Sequence, residues 1–241
     1  MQFEKKKQKL MSKEKKEKTT SVFRLKEDLR LKQIPIHIEC FDNSNLQGTN
    51  PVAACVVFKN GKPSKKEYRL FNIKTVVGPD DYKSMEEVVL RRYKRLINEK
   101  RKLPQLIVID GGKGQLSSAV KSLKKLNIDG QIAIIGIAKR LEEIYFPNDS
   151  TPLYLDKKSS SLKLIQQLRN EAHRFGINHH RRKRVSEKIK TSLDNISGIG
   201  PKTSTLLLKR FGSVKNLMKA DYKTVQELIG KSKAKKIFRK T

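Results

Sequence analysis

Ile36-His-Ile-Glu-Cys-Phe-Asp42-Asn-Ser-Asn and Leu106-Ile-Val-Ile-Asp110-Gly-Gly are the two stretches on which the reading of this chain turns. Each is a short apolar run of strand character that ends in an aspartate and then a turn. If the two strands are neighbours in one sheet, both carboxylates project from their carboxyl ends into one crevice, where open α/β sheets place ligands. Two close carboxylates repel one another unless a cation lies between them. The chain carries 55 Lys+Arg against 24 Asp+Glu, a formal net charge of +31. A metal site on so basic a protein points to Mg²⁺ or Mn²⁺ facing a polyanion. Taken singly, each aspartate reads as well as the cap of the turn or helix that follows it.

Working outward, 241 residues suit one domain of ordinary size and one small one. The charge balance is that of a partner for nucleic acid or an anionic membrane. No apolar run is long enough to span a bilayer, and the N-terminus lacks an apolar signal core. Trp is absent and the basic residues are spread along the chain, so nucleic acid is the better partner. Cys40 and Cys55 fall in expected strands without C-x-x-C spacing and read as buried, reduced thiols of a cytoplasmic protein.

Residues 1–21 form a lysine-rich tail or the end of a longer helix. Leu25–Lys32 suggests a short helix. Strands are expected over Ile36–Phe41, Val52–Phe58 and Glu67–Ile73, with a turn at Asn43–Asn50 and a hairpin signal at Asn60-Gly61. Asp81–Glu99 has helical apolar spacing. A strand Leu106–Ile109, a helix Gln115–Leu126 and a strand Ile132–Ala138 follow. Ile144–Phe146 and Leu153–Leu155 look like a small hairpin, and Ser161–Phe175 is helical. That order is the one of ribonuclease-H-like folds: an α/β domain on a mixed sheet, over residues 22–184 with its basic connector.

The connector is Asn178-His-His-Arg-Arg-Lys-Arg184, in which Arg181 and Arg182 are placed to meet phosphate. Residues 185–241 then read as a small all-α domain. Its motif Gly198-Ile-Gly200-Pro201-Lys202 sets two flexible residues at a turn and a proline at the first helical position. The amides of such a turn face an anion. Gly230-Lys231-Ser232 repeats the pattern weakly, with serine where a second glycine is usual. The pair resembles a tandem helix-hairpin-helix, which grips duplex phosphates without reading bases.

Three further groups carry candidate chemistry. Asp110-Gly-Gly-Lys113-Gly-Gln115 does not fit nucleotide-binding spacings. It lets a phosphate backbone approach beside Asp110, with Lys113 to neutralise it. Asp80 and Asp81 precede a helix, and capping and a third metal carboxylate are open readings, with Asp81 ahead for the metal. His173 lies among Arg169, Glu171 and Arg174, where an imidazole can orient or deprotonate water or ligate the ion, and the two arginines can meet phosphate.

Four blocks now stand in order: Ile38-Glu-Cys-Phe-Asp42-Asn-Ser-Asn-Leu-Gln-Gly48, Gly78-Pro-Asp-Asp81-Tyr-Lys-Ser-Met85, Ile109-Asp-Gly-Gly-Lys-Gly-Gln115 and Arg169-Asn-Glu-Ala-His-Arg-Phe175. With the tail, they resemble the C-terminal half of the UvrC family, the incision subunits of bacterial nucleotide excision repair. The resemblance runs from about residue 22 to the C-terminus. It implies a divalent-metal endonuclease that nicks the damaged strand 5′ of a lesion, in the bacterial cytoplasm at the nucleoid. It implies Asp42 and Asp110 as catalytic metal carboxylates, His173 as the catalytic histidine and Asp81 as a further acidic residue. Double-stranded DNA is the implied substrate and UvrB the family's partner, although no segment here matches the usual UvrB contact motif. Nothing resembles the family's N-terminal half, so the chain reads as a fragment or a short relative. A non-catalytic, sequence-independent duplex-binding module is the alternative, and metal-dependent nicking separates the two.

Overall fold

The structure, a computed structural model, describes residues 20–44, 52–76, 78–139, 141–194 and 196–238, and for 44, 179–192 and 194 the backbone alone. The tail at 1–19, most of the expected turn at Asn43–Asn50, and the side chains of Arg181 and Arg182 lie outside what is described. Two compact units divide between Ile177 and Asn178.

The first unit opens with helix α1 (20–28) and strand β1 (His37–Ser44). Strand β2 (Val52–Lys59), the short β3 (Lys62–Pro63) and β4 (Arg69–Asn72) follow. Helix α2 (Asp81–Asn98) leads to β5 (Leu106–Asp110), α3 (Lys113–Lys125), β6 (Ala133–Ala138), β7 (Glu143–Tyr145) and α4 (Ser160–Asp194). The strands form one mixed sheet of order β3-β2-β1-β5-β6-β7, with β4 also paired to β2. β1 runs antiparallel to β2 and parallel to β5, and β5 parallel to β6. Every residue of β5 is buried, as a central parallel strand covered on both faces requires.

Alternation along the strands decides which helix each side chain meets. Ile38, Cys40, Leu106 and Val108 face a core that also holds Leu25 of α1, Leu29 in the turn after it, and Leu164, Ile165, Leu168 and Ala172 of α4. Phe41, Ile107 and Ile109 face the opposite core, with Met85, Val88 and Tyr93 of α2 and Leu116 and Leu123 of α3. Glu39 also faces α2. It is fully buried and receives hydrogen bonds from Arg92 Nε at 3.1 Å and Tyr93 Oη at 3.1 Å.

Four elements differ from the sequence reading. The strand expected over Glu67–Ile73 is shortened to Arg69–Asn72, because Lys65–Glu67 form a 3-10 turn whose Glu67 is held by Ser64 Oγ at 2.7 Å and Lys59 Nζ at 2.9 Å. The first helix spans 20–28 and ends where Arg30 turns left-handed at φ 50°. The expected hairpin keeps only β7, which pairs with β6, and a single bridge from Ile144 to Leu153. Helix α4 runs on through the basic connector to Asp194, since no proline stops it and Arg and Lys are good helix formers.

The second unit adds α5 (Pro201–Phe211), α6 (Val214–Lys219), α7 (Tyr222–Ile229) and α8 (Lys231–Phe238). Leu193, Ile199, Leu207, Leu217, Val225, Ala234 and Ile237 make its core. Both hairpin turns use a glycine in the left-handed region, Gly198 at φ 89° and Gly230 at φ 85°, where a Cβ is strained.

Candidate active site

The register that pairs Phe41 with Ile109 places Asp42 beside Asp110, at the carboxyl ends of two neighbouring parallel strands. By alternation both aspartates share the side of Cys40 and Val108, the face covered by α4. His173 projects from that helix, and its Nδ1 lies 3.0 Å from Asp42 Oδ2. One ligand atom from each of Asp42, Asp110 and His173 lies within 4.8 Å of the others. The two carboxylates are buried and the imidazole is exposed.

The electrostatics are those of crowded anions. Burial, then the Asp42 carboxylate, push Asp110 up to about 6, against the opposing charges of Lys139, Arg169 and His173. Burial also raises Asp42, and the His173 hydrogen bond and charge oppose that rise. Both oxygens of Asp110 are buried without a hydrogen-bond partner among the described residues. A buried carboxylate so left is costly unless something positive occupies the space before it. An oxygen-rich set completed by one imidazole fits a hard divalent cation such as Mg²⁺ or Mn²⁺.

The remaining expected residues take varied places. Asp80 is the N-cap of α2 and accepts from the Lys83 amide at 2.9 Å. Asp81 is exposed on the first turn of α2 and lies outside the three-residue cluster. Its main-chain carbonyl accepts from Asn43 Nδ2 at 2.8 Å, which ties the end of β1 to α2. Lys113 begins α3 next to its Gly112 cap, with Nζ 4.9 Å from the centre of the Tyr145 ring. Arg174 is exposed and forks onto Glu171, with both bonds at 2.7 Å. Arg169 is placed differently from the surface position its neighbours suggest. It is 14% exposed, and its Nη2 lies 3.0 Å from Glu142 Oε1, so it points into the fold beneath His173.

In the second unit Gly200 caps α5 ahead of Pro201, and Lys202, Gly230 and Lys231 are exposed around the hairpins. Lys236 was not singled out by the sequence. Its Nζ lies 3.0 Å from where a Cβ on Gly198 would sit, so α8 lays an ammonium over the first hairpin. No sequence pattern marks Lys139 either, yet its Nζ is 3.8 Å from Asp110 Oδ2. Only its position straight after β6, level with the end of β5, signals this.

A mixed sheet with two aspartates at the ends of adjacent strands and a histidine from the covering helix defines a ribonuclease-H-like domain, followed here by a helix-hairpin-helix unit. The chain belongs to the family of the UvrC RNase H endonuclease domain, whose model matches residues 26–177. A second model, the SAM-like helix-hairpin-helix tandem, matches residues 190–239. UvrABC system protein C of Christiangramia forsetii is 67% identical over 210 residues, which is 87% of this chain and 35% of that protein. Its counterpart from Flavobacterium psychrophilum is 67% identical over 213 residues, 88% of this chain and 36% of that one. The chain thus spans about a third of the length of these curated relatives. Among solved structures, human ENDOV aligns at a TM-score of 0.36 and 12% identity, over 68% of this chain and 98% of that one. Among the described residues, no helix is long and apolar enough to cross a membrane.

Proposed function

We propose that the first unit is a divalent-metal-dependent endodeoxyribonuclease that nicks the damaged strand 5′ of a lesion in nucleotide excision repair. The second unit holds the duplex through phosphate contacts at Gly198, Gly200, Lys202, Gly230 and Lys231. Arg174, Arg181, Arg182 and Lys113 add cationic contacts to the backbone. UvrB is the proposed protein partner and the bacterial cytoplasm the proposed compartment, from the relatives' membership of the UvrABC system. The observation that carries this reading is the convergence of Asp42, Asp110 and His173 around a buried carboxylate that has no hydrogen-bond partner among the described residues.

Asp42 and Asp110 would hold Mg²⁺ or Mn²⁺, which supplies charge neutralisation at phosphorus and a more acidic water. His173 takes the proton of the attacking water, whose oxygen bonds to phosphorus as the bond to the leaving ester oxygen breaks. That leaving oxygen ends as a hydroxyl with a proton from solvent. Asp42 orients the imidazole through the 3.0 Å contact to Nδ1, which leaves Nε2 as the nitrogen that takes the proton. Asp81, on the rim at the start of α2, acts through its charge near the entering strand.

The test is nicking of supercoiled plasmid with Mn²⁺ or Mg²⁺, with and without UvrB, beside Asp110→Asn. Nicking that needs the cation and Asp110 is the expected result. Duplex binding with no cleavage under any of these conditions would leave a non-catalytic binding module.

A further inference from the structure

We propose that Lys139 is a further catalytic residue, one that neutralises the phosphate being cut, and that the ion pair of Glu142 and Arg169 holds it in place. This rests on the nuclease reading of the same site.

Lys139 follows β6 directly, and the register of β5 and β6 sets Asp110 opposite Ile137, so the lysine emerges beside the aspartate. Its side chain is 61% exposed, and Nζ stands 3.8 Å from Asp110 Oδ2. That separation is an ion pair and not a hydrogen bond, and both Asp110 oxygens are without a hydrogen-bond partner among the described residues. A largely solvated ammonium so close to a metal carboxylate is placed to serve a second anion. A divalent cation held by Asp110 would repel the ammonium, leaving Lys139 free to meet the non-bridging oxygens of a phosphate at the same place. A preorganised positive group at developing phosphoryl charge acts on the transition state more than on binding.

The turn bearing Lys139 is anchored at its far end. Glu142 sits in the left-handed region at φ 58°, which is uncommon for a non-glycine residue. Its carboxylate meets Arg169 at 3.0 Å, with side-chain exposures of 14% for the arginine and 25% for the glutamate. Arg169 lies one helical turn before His173 on the same face of α4. A single ion pair therefore joins the turn of Lys139 to the helix of His173. Both pair members keep one more buried atom, Arg169 Nη1 and Glu142 Oε2, without a hydrogen-bond partner among the described residues, so losing either residue strands a charge. Glu142 and Arg169 are positioning residues: neither reaches the reacting atoms.

The full chain is tested as Lys139→Met, Lys139→Arg, Glu142→Gln and the double variant K139M/E142Q. Three readouts are taken: Mn²⁺ affinity by calorimetry without DNA, duplex affinity in Ca²⁺, and single-turnover nicking rate in Mn²⁺. Without DNA, K139M should bind Mn²⁺ about threefold or more tightly, because a competing positive charge is gone. Its nicking rate should fall about 10²–10³-fold, while duplex affinity moves less than about threefold. K139R should recover most of the rate. E142Q should slow nicking in the same direction and add nothing to K139M, since both act through one ammonium. K139M that nicks like the wild type, or an E142Q loss that adds in full to K139M, overturns the proposal. Should E142Q not fold, K139M and K139R decide it, because that side chain is exposed. A wild type that binds no Mn²⁺, or whose Mn²⁺ affinity ignores Asp110→Asn, overturns the nuclease reading itself. Mn²⁺ bound through Asp110 and normal nicking by K139M overturn only the role of Lys139.

Discussion

Asp42 and His173 are 131 residues apart in the chain, and their side chains meet at 3.0 Å. The carboxylate sits at the buried end of a central strand and the imidazole on the exposed edge of a covering helix, 4% and 49% exposed respectively. The contact engages Nδ1 and so orients the ring. It also brings a neutral or cationic group to a carboxylate that burial has made reluctant to ionise.

His173→Ala should therefore cut nicking by about 10²–10⁴-fold and leave duplex affinity in Ca²⁺ nearly unchanged. Single-turnover rates beside fluorescence anisotropy check this. A nicking rate equal to the wild type at saturating Mn²⁺ would reduce His173 to a surface residue that happens to touch Asp42.

Asp110→Asn should stabilise the metal-free protein at pH 7.5 and abolish its response to Mn²⁺. Asp110 titrates near 6 in the folded state, above its unfolded value. A raised carboxylate binds more protons folded than unfolded, so its burden on stability grows as pH rises from about 4 to 6 and is absent below that window. The relief at pH 7.5 is at most about 3 kcal/mol, and it should vanish at pH 4. Thermal melts in EDTA at the two pH values read it directly. A metal-free melting temperature that fell in the variant at pH 7.5 would favour a structural role for this carboxylate.

Arg92→Met should destabilise the first unit by about 3–5 kcal/mol, because it strands Glu39 as a buried charge. Burial alone would raise Glu39, but the close contact of His37 at 3.3 Å and the hydrogen bonds and charge of Arg92 outweigh it and take the group down to about 2. A depressed carboxylate contributes stability that is present above its unfolded value and lost as pH falls toward 2. Urea unfolding should thus show wild-type stability dropping between about pH 4.5 and 2. The double variant E39Q/R92M should recover much of the single loss, and an R92M midpoint equal to the wild type would show the pair to be unimportant.

Gly136→Ala should weaken both the fold and the metal site. A Cβ on this β6 glycine would lie 2.9 Å from the Gly111 carbonyl oxygen and 3.2 Å from Leu116 Cβ. The first is main chain of the turn that follows Asp110, pinned to β6 by the Gly111 amide donating to Ile137 O at 3.0 Å. Overpacking there costs about 1–3 kcal/mol and displaces Asp110. Weaker Mn²⁺ binding together with a lower melting temperature is the expected pair of results. A loss of stability with unaltered Mn²⁺ affinity would mean that the turn moves without the aspartate.

Much of this was legible in the chain alone. Strand runs ending in Asp42 and Asp110, the helical spacing over Asp81–Asn98, and the Gly198–Pro201 and Gly230 turns are local patterns, set by side-chain period and by the few residues that tolerate a left-handed turn. Only the tertiary structure decided the register that brings Asp42 next to Asp110, because neighbours in a parallel pair are joined by long connections that no local pattern records. It also decided which charges point inward. Arg169 and Arg174 look alike in sequence, yet their positions on α4 send one to partly buried Glu142 and leave the other in solvent. Lys139, one lysine among many, becomes a neighbour of Asp110 because strands β5 and β6 end level in the sheet.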